Sequence, residues 1–345
     1  EPRPSLDAEL RDDNGMPLVA ARIADLDTAE LDAAAVPLVA ATAAQQPQRQ
    51  SMQPATHVLR ALTALQPPLT EAVLALQSWS ERFAPADPQA PIPAGAARPP
   101  QRLVRMLVAL PETWHAFECG FAQLWIEQLV KEHSTEIPAQ CFRVETHTAS
   151  GPELWLKADQ LLQSLARESR DDAVLLAACH SDLSGEAVAA LEHARRLFSA
   201  SACPKGVMPG EAAVTLLLAL PGWPSAPQDE RSPVHLHRPA VSRCDRSIKP
   251  AGKVSSESLQ QACTQAPAAT RLEADSVKAL VCDADQHSQR STELFGTTLA
   301  LLPDLDPTED MRVLGTVTGH TGAAGTLAGV AAAAGQARSL GAARA

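Results

Sequence analysis

From residue 102 onward, the sequence alternates between runs that are apolar throughout and segments with helical periodicity. Residues 102–110, 172–179 and 212–220 form short apolar runs, and residues 153–167 space their leucines at helical intervals. A strand that is apolar on both faces has to be covered on both faces, which is typical of a mostly parallel sheet between helices. The alternation therefore predicts the α/β class.

The same alternation continues toward the C terminus. It predicts strands near Val234 and over residues 276–283 and 312–318, and helices over residues 255–263, 292–302 and 322–337. Because one block of strands and helices follows another, the sequence predicts two similar α/β halves packed together.

Two proline-rich segments divide the chain, since proline cannot donate a backbone hydrogen bond to a helix or sheet. They predict a weakly patterned N-terminal portion (residues 1–84), a proline-rich loop (85–101), a first half (102–220), a linker (221–239) and a second half (240–345). A glutamine-rich stretch near position 50 predicts a further loop.

Charge and composition exclude several classes of protein. The 29 Lys and Arg residues against 40 Asp and Glu residues give a formal charge of −11, which repels nucleic-acid backbones, and the chain has no tyrosine for base stacking. No uncharged apolar stretch reaches the length of a membrane span, about 18 residues. The compartment stays open between bacterial cytoplasm and periplasm, and an anchor or signal upstream of Glu1 is compatible with the sequence.

Cysteine and histidine spacing gives no metal or cofactor site. The seven cysteines are widely spaced, without a C-x-x-C pair, which argues against a disulfide scaffold and a structural zinc site. His235 and His237 would share one side of a strand, but no third ligand accompanies them. We therefore expect no metal and no cofactor.

Two segments resemble β-ketoacyl synthases. The turn Pro209, Gly210, Glu211, Ala212, Ala213 resembles the Pro-Gly-Glu-Gly-Ala turn of that family, and residues 315–333 resemble its C-terminal motif, with His320 on the motif's histidine. The resemblance implies the thiolase-type fold, in which two similar halves form α-β-α-β-α layers. The sequence stops soon after the last helix, where the family adds closing strands, so we expect an incomplete second half.

The resemblance does not extend to the family's catalytic set. A condensing enzyme needs a thiolate at a helix start, and the corresponding turn over residues 147–152 contains no cysteine. His287 lacks the Gly-Thr turn that follows the family's middle histidine, and Gly315 replaces the family's lysine. If the chain is an enzyme, the residues left for catalysis are His320, His287, Ser150 and His147.

These features favour a non-catalytic protein that acts by binding another protein. The resemblance suggests an adaptor or chaperone-like partner of a secreted effector, such as a type VI secretion lipase, or a passive partner of a synthase-like subunit. The alternative is an active acyltransferase, hydrolase or β-ketoacyl synthase-type enzyme with an altered nucleophile. Asp285, Arg290 and Glu293 follow a predicted strand and are candidates for a ligand site.

Overall fold

The computed structural model describes residues 4–45, 53–84, 100–224, 233–243, 255–268 and 276–342. The strands in these ranges are β1 (Ser5–Arg11), β2 (Pro17–Ala20), β3 (Val104–Leu110), β4 (Phe142–Thr148), β5 (Ala173–Ser181), β6 (Glu211–Leu218), β7 (Leu280–Cys282) and β8 (Met311–Val313). The helices are α1 (Ala29–Gln45), α2 (Thr56–Gln77), α3 (Ser80–Phe83), α4 (Ala116–His133), α5 (Gly151–Arg167), α6 (Gly185–His193), α7 (Glu257–Ala268), α8 (Ser288–Leu301), α9 (Gly315–Thr318) and α10 (Gly322–Ala342).

The central sheet has four strands in the order β4-β3-β5-β6. β3 runs parallel to β4 and β5, whereas β6 runs antiparallel to β5, so the sheet is mixed. All nine residues of β5 are buried. Successive side chains of a strand point to opposite faces, which is why the sequence of β5 has no polar alternation. The predicted α/β class is confirmed.

Helices cover both faces of this sheet. One face packs against α1, α2 and α4 through a core that includes Leu38, Leu62 and Phe121. The opposite face packs against α5 and α10, whose Leu154 and Leu327 lie in a second core. The N-terminal helices α1 and α2 thus complete the core on the first face.

Two smaller sheets have two strands each. β1 and β2 form an antiparallel hairpin, and the sheet of β7 and β8 lies beyond α10. β7 and β8 are parallel, and Leu280 and Cys282 pack with Leu294 of α8. Val281, between them in sequence, lines a small cavity together with Ala333 and Ala337 of α10. α10 therefore packs against the central sheet and against the sheet of β7 and β8, and α8 covers the far side of the latter.

Several predicted elements differ in the structure. Residues 233–243 contain no strand, since Val234 and its neighbours extend into solvent without a partner strand. The predicted strand over residues 312–318 is wrong beyond Val313, because the chain turns into α9 at Gly315. A Cβ atom at Gly315 would lie 2.5 Å from the carbonyl oxygen of Asp283, so this turn packs directly against the end of β7.

Some predicted loops lie outside the described residues, namely the glutamine-rich stretch at residues 46–52, residues 85–99 of the first proline-rich segment and residues 225–232 of the second. In the ranges that the structure describes, no helix has both the length and the apolar character needed to cross a membrane.

Candidate functional site

Three distant segments meet at the carboxyl end of β5. The backbone N–H of Asp182, just after β5, donates to the carbonyl of Gly210 at 3.0 Å, and the N–H of His320 donates to the carbonyl of Met208 at 2.9 Å. Pro209 and His320 form a parallel bridge. The two motifs that resemble β-ketoacyl synthases are therefore in direct contact, at the end of the sheet where α/β proteins bind ligands.

Glycines allow this close approach. A Cβ atom at Gly210 would lie 2.1 Å from the carbonyl oxygen of Thr318, and one at Gly319 would lie 2.9 Å from that of Met208. Gly319 also has a φ of +65°, a conformation that side chains disfavour. The Pro-Gly-Glu and Gly-His motifs thus need glycine because two backbones cross here.

Two histidines share the carboxylate of Asp182. Nδ1 of His320 lies 2.7 Å from Oδ2 of Asp182, and Nε2 of His180 lies 3.1 Å from Oδ1. The two imidazole rings stand edge to face, with their centroids 4.7 Å apart. Nδ1 of His180 would lie 3.0 Å from a Cβ atom at Gly322, which begins α10. We call His180, Asp182 and His320 the His-Asp-His cluster.

The cluster is buried at one end and open at the other. The side chains of His180 and Asp182 are 7% and 14% exposed, while that of His320 is 38% exposed. Burial alone would raise the pKa of Asp182, but the two neighbouring imidazoles outweigh burial and hold that pKa below its usual range. Asp182 is therefore a carboxylate at neutral pH and holds His320 in place.

A buried ion pair anchors the Pro-Gly-Glu turn to α2. The carboxylate of Glu211 accepts hydrogen bonds from Nε and Nη2 of Arg60 at 2.9 and 2.6 Å. It also accepts from the hydroxyl of Ser181 at 3.1 Å and from the backbone N–H of Ile23 at 2.8 Å. The N-terminal part of the chain thus holds one of the segments that form the site.

A serine–histidine contact lies close by. Oγ of Ser184 lies 3.1 Å from Nδ1 of His57, and burial lowers the pKa of His57, so its ring is neutral at pH near 7. The same oxygen accepts a hydrogen bond from the N–H of Ala187 at the start of α6. Ser184 is buried, so its structural role is the N-cap of α6.

The predicted nucleophile Ser150 is the N-cap of α5. Its backbone N–H and its hydroxyl both donate to Oε2 of Glu153, each at 2.9 Å. His147 lies on β4, where its Nε2 is 3.5 Å from a carboxylate oxygen of Glu145. The structure therefore directs the Ser150 hydroxyl proton to Glu153, and not to His147.

The remaining predicted residues lie at the start of α8. His287 is the N-cap of this helix, where its Nδ1 accepts from the N–H of Gln289 at 3.3 Å. Nη1 of Arg290 lies 3.4 Å from Oδ2 of Asp285, and Glu293 has no part in that ion pair. Thus, of the predicted catalytic residues, only His320 belongs to the His-Asp-His cluster.

None of the cysteines in the described ranges joins this cluster. The six cysteines that the structure describes are free thiols. Burial raises the pKa of Cys119, Cys141, Cys179, Cys263 and Cys282. Cys179, which precedes His180, has a pKa of about 12 and packs into the core on the α2 face of the sheet, whereas His180 points to the opposite face.

His180, Asp182 and Arg60 were not predicted from the sequence. A signal for the first two exists, because a His-Ser-Asp tripeptide directly follows an apolar strand and so lies at its carboxyl end. No sequence signal connects Asp182 to His320, which is 138 residues away.

Comparison with known proteins identifies the fold. No protein-family model and no curated protein matches the sequence. The ketosynthase from module 6 of the bacillaene synthase of Bacillus subtilis 168 is similar, with a TM-score of 0.52 and 13% identity over 79% of this chain and 47% of that chain. A mutant of the same ketosynthase gives the same TM-score and identity, with 46% of that chain covered. This chain thus spans about half the length of these ketosynthases.

The ishigamide ketosynthase/chain length factor matches with a TM-score of 0.44 and 16% identity, over 70% of this chain and 67% of that chain. Because this chain and the bacillaene ketosynthase share only 13% of their residues, the likeness between them concerns the fold alone. The structure therefore confirms a distant, thiolase-like similarity to ketosynthases.

Proposed function

We propose that this chain is a ketosynthase-like protein without condensing activity, which acts by binding another protein. The capping box at the start of α5 carries the proposal. In the resemblance this turn is the place of the nucleophile, and here the hydroxyl of Ser150 and the carboxylate of Glu153 bond to each other. A hydroxyl needs a neighbouring base to attack an acyl group. The base beside Ser150 is the Glu153 carboxylate, and its hydrogen bonds with Ser150 lower its pKa, which makes it a weak base.

The thiols support the same conclusion. Condensation requires a thiolate, which forms where positive charge or a helix start lowers the thiol pKa. The resolved pKa shifts of the described cysteines are all upward, with Cys179 at about 12. These thiols are therefore protonated at neutral pH, and their burial is typical of core residues.

The central sheet and the sheet of β7 and β8 support a finer proposal about the fold. We assign the four-stranded sheet to the first half of a thiolase-type fold and β7 and β8 to a reduced second half, with α5 and α10 between them. The packing of α10 against β5 and its contact with β7 support this assignment.

The edge of β6 is the surface that we propose for protein binding. The central sheet ends at β6, and no strand in the described ranges pairs with its outer edge between Ala212 and Leu218. The strand contains neither lysine nor proline, the residues with which soluble proteins protect such edges. An unprotected apolar edge favours pairing with a strand of another chain.

The edge indicates the class of protein that the chain binds and does not identify one partner. We propose that the strand pairs with another thiolase-fold chain, either a second copy of this chain or a synthase-like subunit. The role as an adaptor of an exported effector stays a prediction. Co-expression with the products of neighbouring genes, followed by copurification, tests it.

Proline substitutions in β6 test the proposed edge. The N–H groups of Thr215 and Leu216 point to opposite edges of the strand, because backbone donors alternate along a β-strand. One of Thr215→Pro and Leu216→Pro therefore removes a bond to β5 and lowers the melting temperature. The other removes only an outward N–H, and we expect it to fold normally and to lose association.

Light scattering gives the mass of the full chain alone and after co-expression with neighbouring gene products. We expect a mass above that of the monomer in at least one condition, with that mass returning to the monomer in the folded proline variant. A monomer in both conditions contradicts the proposal, as does association that survives in the folded variant.

The active alternative requires Ser150 to use Glu153 as its base. Because Glu153 is the base bonded to that hydroxyl, Glu153→Gln would then abolish acyl transfer, whereas in our account there is no acyl transfer to lose and the variant changes only the stability of α5.

A further inference from the structure

The His-Asp-His cluster has the composition of a metal centre. Two imidazoles and one carboxylate each offer a donor atom, and these donor atoms all lie within 4.8 Å of one another. Imidazole and carboxylate together are the ligands of zinc and of related divalent transition ions. Within the described ranges, no other group of histidine, cysteine and acidic side chains comes together in this way.

A buried nitrogen points to the missing partner. Nε2 of His180 is buried and makes no hydrogen bond, although it lies 3.1 Å from Oδ1 of Asp182. The His180 side chain is only 7% exposed, so bulk water does not satisfy this atom. A buried ring nitrogen whose contact with a carboxylate lacks the alignment of a hydrogen bond costs free energy. A cation between the two groups would bind both and remove this cost.

The distances fit a small divalent ion. Zn²⁺ binds nitrogen and oxygen at about 2.0–2.2 Å, which places tetrahedral ligands about 3.4 Å from each other. The two contacts of Asp182, at 3.1 and 2.7 Å, are shorter than this spacing, and all donor atoms lie within 4.8 Å of one another, so small shifts of the side chains would accommodate the ion. His320, whose side chain is the most exposed of the three, would exchange its contact with Oδ2 of Asp182 for a contact with the ion, whereas His180 and Asp182 are fixed by burial.

We propose that His180, Asp182 and His320 bind a divalent transition-metal ion, with Zn²⁺ as the preferred ion. Three protein ligands leave one position of a tetrahedral zinc open, and the solvent-exposed side of His320 places that position at the surface. This inference extends beyond the protein-binding function and does not depend on it.

The exposed pair His235 and His237 is the rival site. The structure places both side chains in solvent, on a segment without a strand, so the geometry that would align them is absent from residues 233–243. His235→Gln is therefore a matched control, since it removes a histidine outside the cluster. It should leave metal binding unchanged.

The test uses the full chain, free of any histidine tag and stripped of metal with a chelator. Calorimetric titration with Zn²⁺ should give one equivalent bound, and Co²⁺ should give the visible absorption of a nitrogen- and oxygen-ligated site. His320→Gln changes an exposed side chain and should lower the Zn²⁺ affinity by more than about a hundredfold. Asp182→Asn retains the shape of the side chain without its charge and should have a similar effect.

Thermal melting shows whether each variant is folded and whether Zn²⁺ stabilises it. The melting temperature of the native chain should increase with Zn²⁺ concentration, because the ion binds the folded state, and that of folded His320→Gln should not. The absence of stoichiometric binding to the native chain would overturn the proposal. Full affinity in His320→Gln and Asp182→Asn would overturn it as well, and so would loss of binding in His235→Gln. The mass measurements on β6 variants are separate, so either proposal can fail alone.

Discussion

Replacing Glu211 by glutamine should destabilise the whole site. The Glu211 side chain is 0% exposed and that of Arg60 is 10% exposed. The carboxylate accepts both guanidinium hydrogen bonds of Arg60 as well as those of Ser181 and Ile23. In Glu211→Gln, one oxygen becomes an amide donor and the charge of Arg60 is left buried without a counterion.

The structure gives the magnitude. Removing one partner of a buried ion pair costs about 3–5 kcal/mol. Because the amide oxygen of glutamine still accepts a hydrogen bond, we expect a loss of unfolding free energy at the lower end, about 3 kcal/mol. An exposed pair provides the control. Arg238 is 68% exposed and lies 2.9 Å from Asp159, and exposed pairs contribute about 0–1 kcal/mol. Arg238→Gln should therefore change stability by less than about 1 kcal/mol.

Urea unfolding followed by tryptophan fluorescence measures both losses. The double variant Arg60→Gln, Glu211→Gln should lose less than the sum of the single variants, because it removes both charges together. If Glu211→Gln is no less stable than Arg238→Gln, the ion pair does not anchor the Pro-Gly-Glu turn to α2, and our reasoning about the site is wrong.

Three further predictions concern the hairpin, the crossing backbones and the core thiol. Burial alone would raise the pKa of Asp7, but Arg22 and backbone amides lower it below the usual value; the stability advantage over Asp7→Asn should thus be full above about pH 4 and shrink as the pH falls further. Constant advantage in acid would refute this. Gly210→Ala should cost about 2 kcal/mol or more, because its Cβ atom would lie 2.1 Å from a backbone oxygen. Gly329→Ala, with open space around it, should stabilise α10 by about 0.5–1 kcal/mol, and equal melting temperatures for the two variants would contradict the argument. Cys179, with a pKa of about 12, should escape iodoacetamide in the native protein and react after unfolding, as peptide mass mapping would show.

The sequence predicted the elements whose side chains all face the core. β5 is apolar on both faces because helices cover both of them, and the helix after it begins at Ser184, whose side chain caps it. His320 was predicted from the resemblance to β-ketoacyl synthases, and the structure shows that the glycines around it allow two backbones to cross. Local pattern and global environment agree at these positions.

The parts that escaped prediction depend on distant contacts. α2 contains Pro67 and Pro68, which weaken the helical signal, and its stability comes from packing on β5 and β6. The strand predicted through Gly315 ends early because the turn there packs against the end of β7. Likewise, Asp182 lies beside His320 because of the sheet and of the bridge between Pro209 and His320. Neither of these has a local sequence pattern.

Intact mass spectrometry after incubation with an acyl-thioester reporter tests the central claim most directly. The account predicts no covalent acyl adduct on the full chain, because Ser150 is held by Glu153 and the described thiols with resolved pKa shifts are all shifted upward. An adduct that disappears in Ser150→Ala, or in a variant that lacks one cysteine, would contradict it. Such a result would make this chain a working acyltransferase.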